Sequence, residues 1–498
     1  MTATVEKRTP PAFLDGHPKQ LFIGGEWVPA ASGRTFESIN PSTGEVIGQL
    51  ADGDAVDIGR AVAAARRAFE GPWRKFTPAQ RQNVLLALAE LVDEFFDELR
   101  FIDTFDMGAP VSRRRGGSGS PDGLRYFAGW ATKLGGETIP NSLPGSIFSY
   151  TLREPVGVVG SIIPWNNPSG MSLTKIAPVL ATGCTMVLKP AEQACLSPLR
   201  LAELIQEKLD IPPGVINIVT GFGHTAGAAL VAHDDVDKVA FTGSSLTGQE
   251  IVRAAAGNLK RVTLELGGKS PDVVFADANL ELAVPGAGMA VFGNSGQTCV
   301  AGSRVFVERP VYEEFIERVS ELARSLRVGN SLDPTTQIGP LVSQGQLDRV
   351  TGYLDSARSE GAQATAGGAR IVDGDLAKGY FVAPTVFRDV RDEMRIAREE
   401  IFGPVASVLP FDSVDEVARR ANNTRFGLGA GCWTRDVSKA HRLAAQIQSG
   451  SVWVNTYGLM DPAVPFGGYK MSGWGQELGS HSVDEYLSTK AVWINTDA

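Results

Sequence analysis

The chain is poor in cysteine and histidine, has no long apolar run, and carries more acid than base. Its four cysteines, Cys184, Cys195, Cys299 and Cys432, form no C-x-x-C and no short cluster with any of the five histidines. That scatter argues against structural zinc and against a disulfide framework, and it suits a reducing compartment. Runs such as "VGVVGSIIP" are far too short to span a bilayer, and "MTATVEKRTPPAFLDGHPKQ" lacks the apolar core of a secretory signal. A net charge of −9 makes nucleic acid and anionic membrane poor partners. These absences lead to the expectation of a soluble, cytoplasmic protein that uses no metal.

The chain is rich in glycine, with 56 among 498 residues, and 43% of it is hydrophobic, the composition of an α/β enzyme of two to four domains. Helical periodicity runs through "AVDIGRAVAAARRAFE" and through "PAQRQNVLLALAELVDEFFDELRFIDTF". "QLFIGGEWVPA" predicts a hairpin turned by Gly24-Gly25. Over 186–265, strand-like runs ("MVLKP", "VINIV", "KVAFTG", "RVTLELGG") alternate with helix-like ones, the first opened by Ser197 as cap and Pro198 at the first helical position. Such alternation implies crossover connections and a parallel sheet, which binds ligands beyond the carboxyl ends of its strands. A second α/β block begins near Gly267 and ends near Gly479. "SIFSYTLREPVG" and "DEYLSTKAVWIN" alternate like exposed strands and predict pairing across subunits. "RRRGGSGSPDG", from Arg113, predicts a solvated bend.

Within "NSGQTCVAGSR", Cys299 stands among small and polar residues rather than the apolar neighbours of a packing cysteine. That leaves packing residue, metal ligand and nucleophile all open. "GFGHTAG" places Gly221, Gly223 and Gly227 directly after a strand, one residue off the dinucleotide fingerprint, and a plain glycine-rich turn fits it equally well. "FTGSSLTG" adds a second strand–turn–helix junction, in which Ser244 could cap a phosphate-binding helix. In "LELGGKSP", Glu265 ends a strand beside two glycines, and in "PWNNP" prolines hold Trp165 and Asn166 in a rigid turn.

Taken in order, "PWNNP", "KPAEQ", "FTGS", "ELGGKSP", "GQTCVAGSR", "EEIFGPV" and "PFGGYKMSG" resemble the NAD(P)-dependent aldehyde dehydrogenase superfamily, over nearly the whole chain. The resemblance implies an α/β fold with a modified Rossmann cofactor domain (1–136 and 157–266), an α/β catalytic domain (267–479) and a small β oligomerisation arm (137–156 and 480–498). It implies Cys299 as nucleophile, Asn166 as oxyanion donor with the Cys299 N–H, Glu265 as general base and Lys175 beside them. It implies NAD contacts from Trp165, Lys189, Glu192, Gly223, Gly227, Phe241, Ser244, Glu400 and Phe402. Glu192 favours NAD over NADP, since a carboxylate at the ribose repels a 2′-phosphate.

The reaction implied is oxidation of an aldehyde to its acid through a thioester, in a homodimer or homotetramer. Glu265 speaks against a coenzyme-A-acylating variant, which needs no water-activating carboxylate there. No Cys-His signature supports a cysteine hydrolase, and intact Cys299, Glu265 and Asn166 speak against a non-catalytic binding protein. Asn167, Thr174 and Gly293 stand where relatives often carry aromatics, and Met460 and Phe466 line the same channel. A wide, polar mouth that favours bulky aldehydes is expected. "GWGQELG" carries Gln476 where many relatives have arginine.

Overall fold

Strand and helix alternate from residue 158 to residue 265 in the computed structural model, which describes residues 11–112 and 119–497. Residues 113–118, the core of the expected basic bend, lie outside the described residues, as do 1–10. The alternation builds an eight-stranded sheet in the order Gly473–Trp474, Arg261–Glu265, Lys238–Thr242, Val158–Ile163, Thr185–Pro190, Ile216–Ile218, Leu21–Ile23, Glu26–Val28. The strands from Arg261–Glu265 to Ile216–Ile218 are parallel. Chain order reverses between Val158–Ile163 and Lys238–Thr242, and such a reversal opens a crevice at the strands' carboxyl ends. The expected hairpin is present at one edge, with Leu21 opposite Val28. At the other edge Gly473–Trp474, from far along the chain, sets Gly473 opposite Glu265.

The central strands are mostly apolar because both faces are covered, with polar residues such as Lys238, Lys189 and Glu265 falling at or near their ends. Val159 and Met186 pack into one core and their neighbours Val158 and Val187 into the other, as the two-residue pleat requires. A second, seven-stranded sheet follows in the order Gln363–Ala366, Thr385–Arg388, Val405–Phe411, Arg304–Glu308, Pro271–Val274, Gly429–Trp433, Ser451–Val454. It is parallel apart from the first pair.

The helix Ala55–Glu70 matches the periodic run residue for residue, with Asp54 as cap. The longer run breaks in two, Pro78–Glu94 and Phe96–Met107, at Phe95. The expected cap at Ser197 is also corrected. The helix Leu196–Lys208 starts two residues earlier, after Cys195, and the Ser197 hydroxyl donates to the buried Asp103 carboxylate instead of capping the backbone. The two outlying strands, Ile147–Pro155 and Leu487–Asn495, pair with each other within the chain in an antiparallel ribbon. No further strand joins Leu487–Asn495 among the described residues.

Candidate active site

The segment 266–270 runs straight from the strand ending in Glu265 to the strand beginning at Pro271, so carboxyl ends of the first sheet face amino ends of the second. Ser472 ties the junction, its hydroxyl donating to the Gly267 carbonyl at 2.7 Å and accepting from the Gly427 N–H at 3.0 Å. The candidate residues converge here from both sides.

Cys299 lies half-buried just before the strand Arg304–Glu308. Its approach is unusual backbone, with Asn294 (φ 53°), Ser295 (φ 56°) and Gly296 (φ 71°) successively left-handed. A Cβ on Gly296 would overlap the Gly403 carbonyl, so only glycine fits that turn. Gln297 pins the loop from within, its Oε1 accepting from the Val342 N–H at 2.9 Å. Asn166, in the turn after Val158–Ile163, donates from Nδ2 to the Gln297 carbonyl at 2.9 Å. Asn294 Nδ2 donates to the carbonyls of Asn166 and Gln297, both at 3.2 Å. The amide of Asn166 is thereby oriented against the segment that carries Cys299.

Glu265 is buried, and neither of its carboxylate oxygens has a hydrogen-bond partner. Burial raises its proton affinity well above the ordinary carboxyl range, the neighbouring Glu477 adds to this, and Lys175 opposes it. Lys175, buried on the helix Pro168–Thr182, is ion-paired with Glu477. Glu477 also accepts from the Thr242 hydroxyl at 3.2 Å, and its backbone exchanges two 2.7 Å hydrogen bonds with Phe466. Sequence reasoning missed Glu477; its signal was a lone acid in the glycine-rich "GQELG" beside Gln476. The Cys299 thiol is pushed up to about 12 by burial and by Glu400, Glu265 and Glu477.

Glu400 accepts from the Gly268 N–H at 3.1 Å, and burial raises it to about 7. Trp165 and Phe402 meet edge to face, ring centroids 5.2 Å apart. Lys189 reaches Glu192 at 3.1 Å at the end of Thr185–Pro190. Ser244 caps the helix Ser245–Ala255, its hydroxyl accepting from the Thr247 N–H at 3.2 Å. Gly223 and Gly227 bound one π-helical turn, and a Cβ on Gly223 would meet nothing within 4 Å. The glycine the backbone demands is Gly221, at φ 143°, where a Cβ would come 2.5 Å from the Gly53 carbonyl. Phe241 is buried in the core with its ring over Gly243.

The channel positions diverge. A Cβ on Gly293 would meet nothing within 4 Å, which leaves open space. Thr174 is buried, its hydroxyl turned back to the Gly170 carbonyl at 3.0 Å. Asn167 folds over Gly170, and Gly119 packs directly on the Gly170 backbone, while all three line an open cavity with Phe96, Leu99 and Leu173. Met460 and Phe466 are half-buried. Cys184, Cys195 and Cys432 are buried in the cores, as packing cysteines would be. No helix among the described residues is long and apolar enough to cross a membrane.

Comparison with known proteins follows this geometry. The model of the aldehyde dehydrogenase family matches residues 27–492. DhaS of Bacillus subtilis (strain 168) is 50% identical over 500 residues, covering 100% of this chain and 99% of its own. The mitochondrial aldehyde dehydrogenase of Homo sapiens is 49% identical over 480 residues, 95% of this chain and 92% of that one. The NAD+ complex of the Bacillus cereus aldehyde dehydrogenase superimposes with a TM-score of 0.94 at 49% identity, covering 97% of this chain and 98% of that one. The chain belongs to the aldehyde dehydrogenase family and is an oxidoreductase.

Proposed function

We propose that the enzyme oxidises an aldehyde to its carboxylic acid with NAD, Cys299 serving as nucleophile. The observation that carries the reading is Glu265, a buried carboxyl with both oxygens unpartnered in the electrostatic reach of the Cys299 thiol. A fold gains nothing in stability from such a group, and a base that must exchange protons with a thiol and with water needs it.

The donor set fits a dinucleotide. Lys189 and Glu192 offer a cation and a carboxylate to ribose hydroxyls, the helix capped by Ser244 offers backbone N–H groups to pyrophosphate, and Gly223 leaves room beside them. The Bacillus cereus relative was solved with NAD+. Glu400, Phe402 and Trp165 would hold the nicotinamide end. When bound, NAD brings a positive ring and takes two electrons and a hydrogen from the substrate carbon.

The chain's own residues do the rest. Cys299 loses its proton to Glu265 and its sulfur bonds to the aldehyde carbon, while the carbonyl electrons move onto oxygen. One N–H of Asn166 holds the Gln297 carbonyl; the second, with the Cys299 N–H, meets the oxyanion. After oxidation the sulfur bears a thioester. Glu265, having passed the thiol proton to solvent, takes a proton from water, whose oxygen bonds to the acyl carbon; the C–S bond breaks with its electrons returning to sulfur, and the acid leaves. Glu192 makes NAD the preferred cofactor over NADP. Gly293 opens the mouth toward bulky, cyclic or aromatic aldehydes. The cofactor domain spans 1–136 and 157–266, the catalytic domain 267–479 and the arm 137–156 and 480–498.

Cys299→Ala tests the reading. NADH production from any aldehyde should vanish while NAD still quenches tryptophan fluorescence with unchanged affinity. Substantial residual turnover would overturn it.

A further inference from the structure

Behind the Cys299 segment lies a group that the reaction as described leaves unused. Tyr457 donates its phenol to the Val300 carbonyl at 2.7 Å. Its ring has little room to move: a Cβ on Gly431 would come 2.6 Å from its Cδ2, and one on Gly302 would come 3.2 Å from its Cε2. Trp453 covers another side, ring centroids 5.0 Å apart. Asp272, buried beside the same two glycines, accepts from Trp433 Nε1 at 2.8 Å. A phenol so tightly enclosed fixes the atom to which it donates.

We propose that Tyr457 is a positioning residue that holds Val300, and through it the Cys299 segment, by the hydrogen bond to the Val300 carbonyl. This rests on the reading of Cys299 as nucleophile. Burial, Glu400, Glu265 and Glu477 all disfavour the thiolate, whereas the Val300 N–H favours it. The carbonyl and N–H of Val300 flank one Cα, so anchoring the first narrows the torsions through which the second can swing beside Cys299. The charged and titratable groups facing Tyr457 are Asp272 and Cys299. Losing the phenolic hydroxyl therefore releases the donor that supports the thiolate without altering any carboxylate around it.

Alkylation of Cys299 by iodoacetamide, followed by mass spectrometry between pH 6 and pH 10, tests this on the thiol itself, whatever chemistry the thiol performs. Tyr457→Phe should slow alkylation at pH 8 by about fivefold to tenfold and move the profile toward higher pH, since one unit of pKa is about tenfold in thiolate. Turnover should fall with it, while NAD affinity and melting temperature stay at wild-type values. Asp272→Asn disturbs the same cluster without touching Val300, and should alkylate like wild type. A wild-type profile in Tyr457→Phe would overturn the proposal. So would equal slowing in Asp272→Asn, or slowing matched by lost NAD affinity, because either means general loosening. Cys299 failing as nucleophile is a separate result, read from turnover in Cys299→Ala.

Discussion

A carboxyl group with both oxygens buried and unpartnered has its proton affinity raised, and Glu265 stands so beside a thiol that burial first, and then Glu400, Glu265 and Glu477, push toward its protonated form. Glu265→Gln should slow the initial burst of NADH in stopped flow and lower steady-state turnover by about 10²–10⁴-fold, because the same carboxyl takes the thiol proton and activates water. Wild-type turnover would remove Glu265 from the reaction. Asp272 allows a test of burial alone. Its carboxyl rises from 3.8 to about 7 on folding, chiefly through desolvation. Between those values the unfolded chain releases the proton and the folded chain keeps it, so stability falls as pH rises and levels off above about 7. Asparagine lacks this titration. The melting temperature of Asp272→Asn minus that of wild type should increase by about 2–4 °C from pH 4 to pH 7 and then stay flat. A difference that shrinks over that range would contradict the burial.

The loop before Cys299 shows what local sequence can carry. Its small residues were legible as room for close approach, but three successive left-handed residues were not, since Asn294 is held there by Asn166 and Gln297 and Ser295 by the Gly339 carbonyl. Gly296→Ala would drive a methyl group into the Gly403 carbonyl from an already left-handed backbone, whereas Gly293→Ala adds one into open space at φ −53°. The first should lose most activity and melt several degrees lower, and the second should match wild type in both; equal behaviour of the two would refute the packing. The parallel strands were readable for a related reason, being covered on both faces and hence mostly apolar. Elements set by distant partners were not. Ser197 reads as a cap until Asp103 claims its hydroxyl, and Glu477 reads as a surface acid until Lys175 pairs with it. Both partners are far away in the chain, and no local pattern contains them.

The two sheets share one site because the chain passes directly from Glu265 to Pro271, and the strand Gly473–Trp474 returns from the second block to pair with the first. The ribbon of Ile147–Pro155 and Leu487–Asn495 is tied to the first sheet at its base, through Arg261 and the Leu487 carbonyl, and is bonded along one edge by Glu137 and Ile139. Its register places Phe148 opposite Ile494, Tyr150 opposite Val492 and Leu152 opposite Lys490, so these six share one face, apolar except for Lys490. Phe148, Leu152 and Ile494 on that face remain 46%, 41% and 42% exposed. A two-stranded ribbon is marginal alone in water, and an apolar face on it needs cover. We expect a second copy of the chain to supply that cover, in a dimer or tetramer. Pairing Phe148→Glu with Ile494→Lys tests this, since opposite charges directly across the ribbon keep its register while removing the apolar face. Light scattering after size exclusion should give a dimer or tetramer for wild type and a smaller species for the double variant. A monomeric wild type, or an unchanged mass in the variant, would show that the ribbon holds its shape without a second chain.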